Sequence, residues 1–410
     1  MSTRRRGAKE VTTPQEERVR ILHLVSTFEE KTDTKWLLQL FPRIDRSRFE
    51  LAIAAFYGQR TLLPRFAELG VRTYCLDAPG SVSLKALRRA IRVIWKEQPD
   101  IVHTHLLRAD LVGALAARWV GTPVILTTCY ALGEYRRAVK RRLDSVIDRV
   151  CRRLPNHVLA VSQAVKDDCV QRLGWNTRDV SVIHTGVHAP SRDADWRKGA
   201  RDQVLQELEL DGKTTLIVAV ARLSYEKGIP WLIEAAKLVL GKHTGIRCLI
   251  VGDGPMRTEL QDRINRLALS GHVSILGFRS DVATLLAAAD VVVLPSLMEG
   301  MPNVLLEAWA ASAPVVASKV GGLAEVIESE KTGLLVPPKN APALAHAIVR
   351  LITDRTLSTQ LGEQGYQQVQ NRFSVATAAR KYENLYLQLT RERREHHDSE
   401  TGAHRPVGSR

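Results

Sequence analysis

Short apolar, β-branched runs alternate with helical patterns along most of the chain. The first series covers residues 21–25, 50–56, 71–75, 101–105, 124–127 and 157–161, each too short for a buried helix and each bounded by turn residues. A polar stretch, 189–198, interrupts the rhythm. It restarts at 215–220, 246–251, 273–276, 291–294, 314–317 and 333–336. Such alternation predicts α/β architecture with parallel, doubly wound sheets, here two tandem Rossmann-like domains facing each other across a cleft. The expected boundaries are a disordered arm over 1–18, a first domain over 19–190 and a linker over 191–205. A second domain follows over 206–370, then a crossover helix over 371–390 and a disordered tail over 391–410.

Ligands of open parallel sheets bind beyond the carboxyl ends of the strands, so the residues after each strand carry the functional information. After Val220 come Arg222 and Lys227, and after Val251 come Gly252 and Gly254. After Leu276 comes Phe278, and after Leu294 comes a loop holding Glu299. Pro302 marks a helix start, which places Glu307 inside that helix, leaning back toward its N-terminus. Gly300, Met301, Pro302, Asn303 and Val304 then surround the end of the helix, where free backbone N–H groups suit an anion. Two carboxylates beside an anion site suit a ligand rich in hydroxyls. The plainer reading of the same spacing is a capping loop followed by a surface glutamate. Arg222, a planar fork, and Lys227, a compact charge, suit a diphosphate.

Taken together, the segments 221–228, 251–255, 276–278, the two glutamates with seven residues between them and 314–322 resemble the retaining family-4 glycosyltransferases of the GT-B fold, once called group 1. Looser agreement continues through 99–105, 161–165 and 182–186, so the resemblance spans roughly residues 20–390. It implies donor binding in the second domain and acceptor binding in the first. Arg222 and Lys227 would hold the donor diphosphate, Glu299 would sit near the donor sugar, and Glu307 would hold the ribose hydroxyls. Gly252, Gly254 and Phe278 would complete the donor pocket. No glycine follows the first strand, where family members carry a glycine-rich turn, and Glu29 and Glu30 stand there instead. Cys129 occupies the place of a histidine near the reacting sugar. His103, His105 and Cys129 are the acceptor-side candidates, with structurally satisfied core histidines as the alternative for the first two.

Composition narrows the setting. Residues 1–200 hold 35 Lys and Arg against 21 Asp and Glu, whereas the remainder is nearly neutral within a total of +15. A basic half fits an anionic membrane surface or an acidic substrate, and without interleaved aromatics or a recognised motif it does not point to nucleic acid. The pattern over 136–154 reads as a basic amphipathic helix, either docked on anionic headgroups or packed as an ordinary layer helix. No apolar run is long enough to span a bilayer, and Met1–Arg6 lacks a signal-peptide core, so a cytoplasmic protein is expected, peripheral on the inner face of the membrane. Five scattered cysteines offer no zinc pattern. Asp193-Ala-Asp195 falls in the linker, away from any strand end. No metal and no cofactor is therefore expected, and transfer should continue undiminished in EDTA; its abolition would refute this. The expected function is transfer of a hexosyl unit from a nucleoside-diphosphate sugar to a lipid-linked or polysaccharide acceptor, with retention of configuration. A non-catalytic nucleotide-sugar-binding protein, or a same-fold epimerase or hydrolase, are the alternatives.

Overall fold

A computed structural model describes residues 18–78, 83–132, 154–189 and 195–402. The expected N-terminal arm up to residue 17, nearly all of the basic stretch 136–154, Asp193 and the last eight residues lie outside this description.

The first domain contains β1 (Val19–Val25), β2 (Phe49–Ala55), β3 (Arg72–Cys75), β4 (Ile101–His105), β5 (Val124–Cys129), β6 (His157–Ala160) and β7 (Val180–Val182). They form one sheet in the order β3-β2-β1-β4-β5-β6-β7, and every pairing is parallel. The second contains β8 (Thr215–Val220), β9 (Ile246–Val251), β10 (Val273–Gly277), β11 (Val291–Leu294), β12 (Val315–Ser318) and β13 (Leu334–Val336), in the order β10-β9-β8-β11-β12-β13. β11 and β12 are buried along their whole length, as expected where helices cover both faces of a parallel sheet.

In each sheet the strand order reverses once, between β1 and β4 and between β8 and β11. Loops on the two sides of such a point splay apart and open a crevice at the carboxyl ends of the strands. The topology thus selects the loop after β8 and the loop after β11 as one site.

The terminal helix Val375–Gly402 returns to the first domain. Its stripe of Val375, Ala378, Ala379, Tyr382, Leu385, Tyr386 and Leu389 is buried in the first domain's core, at the 3- and 4-residue spacing that one helix face requires. Trp36 donates its indole N–H to the Tyr382 hydroxyl at 3.2 Å. The helix runs twelve residues past the expected crossover end at 390. Residues 391–395 are exposed, so their polarity hides the helix from a pattern search for burial. The helix Trp196–Glu207 likewise begins inside the stretch read as linker, with Ala200, Val204 and Leu205 packed on the second core.

Candidate active site

Lys227 and Glu299 meet at the crevice of the second sheet. The loop after β8 closes with a 3-10 turn, Tyr225–Lys227, and Gly228 at φ +65°. A Cβ there would stand 1.9 Å from the Pro295 carbonyl oxygen, so only glycine lets this loop lie against the one after β11. Leu297 N–H donates to the Glu226 carbonyl at 2.8 Å and fixes the contact. Lys227 Nζ then donates to Glu299 Oε1 at 2.7 Å, and Ser296 Oγ donates to the same oxygen at 2.7 Å. Glu299 is only 9% exposed. A carboxylate so placed is held in one orientation by a charge-assisted bond and a hydroxyl.

Arg222 stands exposed on the rim beside them. Its loop is docked on the next one by backbone contacts, Leu223 N–H to the Asp253 carbonyl at 3.0 Å and Met256 N–H to the Leu223 carbonyl at 2.9 Å. Gly252 and Gly254 make this approach possible, since a Cβ on either would strike the backbone of Ala221 or Leu223. Their position is that of spacers behind Arg222.

Glu307 lies half-buried on the helix Asn303–Ala310. Burial pushes its carboxyl above the usual range, and the positive charge of Lys35 from the first domain offsets part of that. Lys35 Nζ also stands 6.0 Å from the Phe278 ring, which is 70% exposed. Asn303 is engaged across the cleft, where Thr185 Oγ1 donates to its Oδ1 at 2.8 Å. Met301 packs against Cys129, Tyr130 and their neighbours, and Gly300 lies so near the Tyr130 carbonyl that a Cβ would come within 2.3 Å. The two domains are closed on each other at the loop after β11.

In the first domain the glutamates after β1 are neutralised within the loop itself. Lys31 lies 3.3 Å from Glu29 and Lys35 lies 2.9 Å from Glu30. The space that a glycine after β1 would have given comes from the neighbouring loop. Gly58, at φ +91°, sits where a Cβ would meet Thr27 Oγ1 at 2.3 Å. Asp33, in the first turn of the helix Thr32–Leu40, is buried, and its Oδ1 meets no hydrogen-bond partner among the described residues. Burial raises its carboxyl to about 6.

The acceptor-side assignment of His103 and His105 needs correction. Both are fully buried and form a stack with His23, ring centroids 4.3 to 5.2 Å apart. His103 Nε2 is 2.7 Å from Thr128 Oγ1 and its Nδ1 is 2.9 Å from the Tyr386 hydroxyl. His105 Nε2 is 3.0 Å from His23 Nδ1, and its Nδ1 is 2.8 Å from the Tyr130 hydroxyl. The parallel register pairs His23 with His103, and the period of two puts His105 on the same face, under the C-terminal helix. Although the three rings bring ligand atoms within 4.8 Å of one another, both nitrogens of His103 and of His105 and Nδ1 of His23 are engaged with hydroxyls or with each other. The trio underpins the crevice between β1 and β4 from inside the core. Cys129 is also buried, at 6%, in an apolar cluster with Val158, Val161 and Val165. Its surroundings account for a thiol where an imidazole would need polar partners.

Sequence reasoning passed over Lys35, Thr185 and Tyr130. Lys35 carried a readable signal, a cation one turn into the first helix after β1 and therefore at a cleft rim. Thr185 and Tyr130 act through contacts between domains, which no local pattern encodes.

Comparison with known proteins agrees with this geometry. The family described as Glycosyl transferases group 1 matches residues 200–368, and Glycosyltransferase Family 4 matches residues 35–189. The chain is similar to alpha-D-kanosaminyltransferase of Streptomyces kanamyceticus, 30% identical over 302 residues, 70% of this chain and 77% of that protein. It is also similar to UDP-Gal:alpha-D-GlcNAc-diphosphoundecaprenol alpha-1,3-galactosyltransferase of Escherichia coli, 26% identical over 324 residues, 78% of this chain and 83% of that one. Among solved structures, Anabaena Alr3699/HepE in complex with UDP and glucose superposes with a TM-score of 0.78 at 23% identity, covering 90% of this chain and 100% of that one. That likeness establishes the two-domain GT-B fold.

Proposed function

Because the chain belongs to the glycosyl transferases of group 1, we propose that it moves a hexosyl unit from a nucleoside-diphosphate sugar to a lipid-linked or polysaccharide acceptor, with retention of configuration. The observation that carries this reading is the part-buried Lys227–Glu299 pair at the crevice of the second sheet, with Arg222 exposed on its rim and Glu307 on the helix that follows Glu299. Cleavage of a glycosyl-phosphate bond builds negative charge on the departing nucleotide. Arg222, Lys227 and the N-terminus of the helix Asn303–Ala310 would receive it. Glu299, held by Lys227 and Ser296, would fix the sugar by its hydroxyls, and Glu307 would take the ribose hydroxyls. Glu307 suits that role because a carboxylate can accept from two hydroxyls at once.

The acceptor would enter from the crevice between β1 and β4. A relative named for transfer to a diphosphoundecaprenol-linked sugar and another named for capsular polysaccharide biosynthesis support an acceptor of that class. Neutralisation of Glu29 and Glu30 by Lys31 and Lys35 removes the repulsion that favoured a non-catalytic binding protein. Work at the inner face of a membrane belongs to the same reading.

Titration calorimetry against a panel of nucleoside diphosphates beginning with UDP tests the pocket. The parent should bind one of them. Glu307→Ala should weaken that binding roughly tenfold or more, the loss of one or two hydroxyl bonds at about 1 kcal/mol each. Equal affinity in parent and variant would remove the assignment. Proton NMR of the product, read at the anomeric coupling, decides retention.

A further inference from the structure

Two tryptophans stand almost free on the outer layer of the first domain. Trp95, on the helix Leu84–Glu97, is 69% exposed, and Trp119, on the helix Leu107–Val120, is 80% exposed, while Leu84 at the start of the first helix is 72% exposed. The two helices pack side by side on one face of the sheet and contribute Ala86, Ala90, Ile94, Val112 and Ala116 to one core cluster. Both flank β4 in sequence, so they run in the same direction, and both tryptophans fall in the last turn, at the same end of the pair.

Between these apolar anchors the exposed stripe of the first helix is basic. Lys85, Arg88, Arg92 and Lys96 are exposed at helical spacing, and Arg118 beside Trp119 extends the charge to the second helix. Neither helix exposes an acid among its described side chains. Glu97 is buried and accepts bonds from Arg72, at 2.7 Å, and from Tyr74. Asp110 is buried and accepts from Thr104 Oγ1 at 2.8 Å. Asp77, on the flanking loop, is paired with Arg60 at 2.8 Å. An amphipathic protein helix normally puts charge of both signs into water, with its apolar residues on the sheet. This one presents only cations there and adds an indole and a leucine.

We propose that this paired-helix face docks the protein on an anionic lipid bilayer, with Trp95, Trp119 and Leu84 entering the headgroup layer and Lys85, Arg88, Arg92, Lys96 and Arg118 contacting lipid phosphates. Indoles favour that interface because one edge is apolar and the other donates a hydrogen bond. The helix of 14 residues extends about 21 Å. It begins with Leu84 on the side of the strand carboxyl ends, so a bilayer along this face reaches the cleft rim. A headgroup-linked acceptor could then pass into the cleft without leaving the membrane. The inference rests on the lipid-linked acceptor reading and supplies the surface that reading lacks.

Flotation of the full chain with phosphatidylcholine vesicles, with and without a third of phosphatidylglycerol, tests it. The parent should float with the anionic vesicles and remain behind with the neutral ones. Arg88→Glu with Arg92→Glu should reduce the bound fraction at least about tenfold, given roughly 1 kcal/mol for each cation near the surface. Trp95→Ala with Trp119→Ala should reduce it while leaving the melting temperature and nucleotide binding unchanged. Equal flotation on both vesicle types, or undiminished flotation of the charge-reversed variant, overturns the proposal. Nucleotide affinity and transfer to a soluble acceptor are independent of this face. Failure of those assays with flotation intact would count against the enzymatic reading alone.

Discussion

Lys227→Ala is expected to lower the rate of sugar transfer by a hundred- to a thousandfold, the usual consequence of removing one fixed donor aimed at developing charge. The side chain has two tasks. In the proposed mechanism its ammonium faces the leaving diphosphate, while its 2.7 Å bond holds Glu299. Removal therefore takes one charge from the leaving group and also leaves a nearly buried carboxylate with only the Ser296 hydroxyl. The second effect frees the carboxylate's rotamer, so in the proposed mechanism the sugar loses its anchor as well. Lys227→Arg should rescue little, because a planar fork does not fit the place of a compact ammonium already in contact with Glu299. Arg222→Ala provides the contrast. That guanidinium is exposed on the rim, so its loss should weaken donor binding and leaving-group stabilisation while Glu299 stays in place. A double variant, Lys227→Ala with Glu299→Gln, should cost far less than the product of the single losses, since the two side chains act as a unit. Steady-state kcat and KM from nucleotide release would measure all four. A Lys227→Ala enzyme within about tenfold of the parent would mean that the pair is structural and the leaving group is stabilised elsewhere.

Much of this arrangement was legible from the chain because parallel α/β folds tie function to topology. A strand followed by Arg222 and Lys227, and another followed by Glu299, put three side chains on one edge of a sheet whatever the loop details. What no pattern supplied was that β8 and β11 are neighbours, and adjacency is what turns two loops into one site. Hydrophobic periodicity reports which face is buried, and it is silent about strand order. The same limit explains the histidines. In residues 101–105 they read as polar positions near a strand end, hence as cleft residues. Their partners Tyr130 and Tyr386 come from elsewhere, Tyr386 from a helix 283 residues away, so burial under the returning helix was invisible locally. The glutamates after β1 show the opposite case. Lys31 and Lys35 were present in the sequence at helical and turn spacing, and only the pairing geometry was needed to see the charge cancelled.

Acid should destabilise this protein as pH falls below about 6.5. His23, His103 and His105 are all held far below the usual histidine range, first by burial; His105 is pushed down to about 3. For His23 the neighbouring His105 and Arg46 add to the effect, and for His103 the other two rings do. In the unfolded chain each imidazole takes a proton near pH 6.5. The folded form refuses it, so the stabilisation is complete above that pH and is lost as pH falls from about 6.5 toward the folded values. For His105, with its folded value at about 3, refusing the proton costs about 2 kcal/mol at pH 5 relative to pH 8, and His23 and His103 act in the same direction. Asp33 works in the other sense. Its folded carboxyl, raised to about 6, takes up a proton between pH 6 and 4 while the unfolded chain does not, which returns about 1 kcal/mol by pH 5. The tyrosines bonded to the rings do not compensate, since burial raises Tyr130 and Tyr386 well above their usual value and they stay neutral throughout. The net expectation is a loss of stability between pH 8 and pH 5, because the three rings outweigh the aspartate. Urea unfolding at a series of pH values would measure it, and His103→Gln, which keeps a donor and an acceptor for Thr128 and Tyr386, should recover part of the loss at pH 5. A profile that changes by less than about 1 kcal/mol over this interval would mean that the rings accept protons inside the fold. The stack would then be a charged cluster open to anions or solvent rather than the neutral floor of the acceptor crevice.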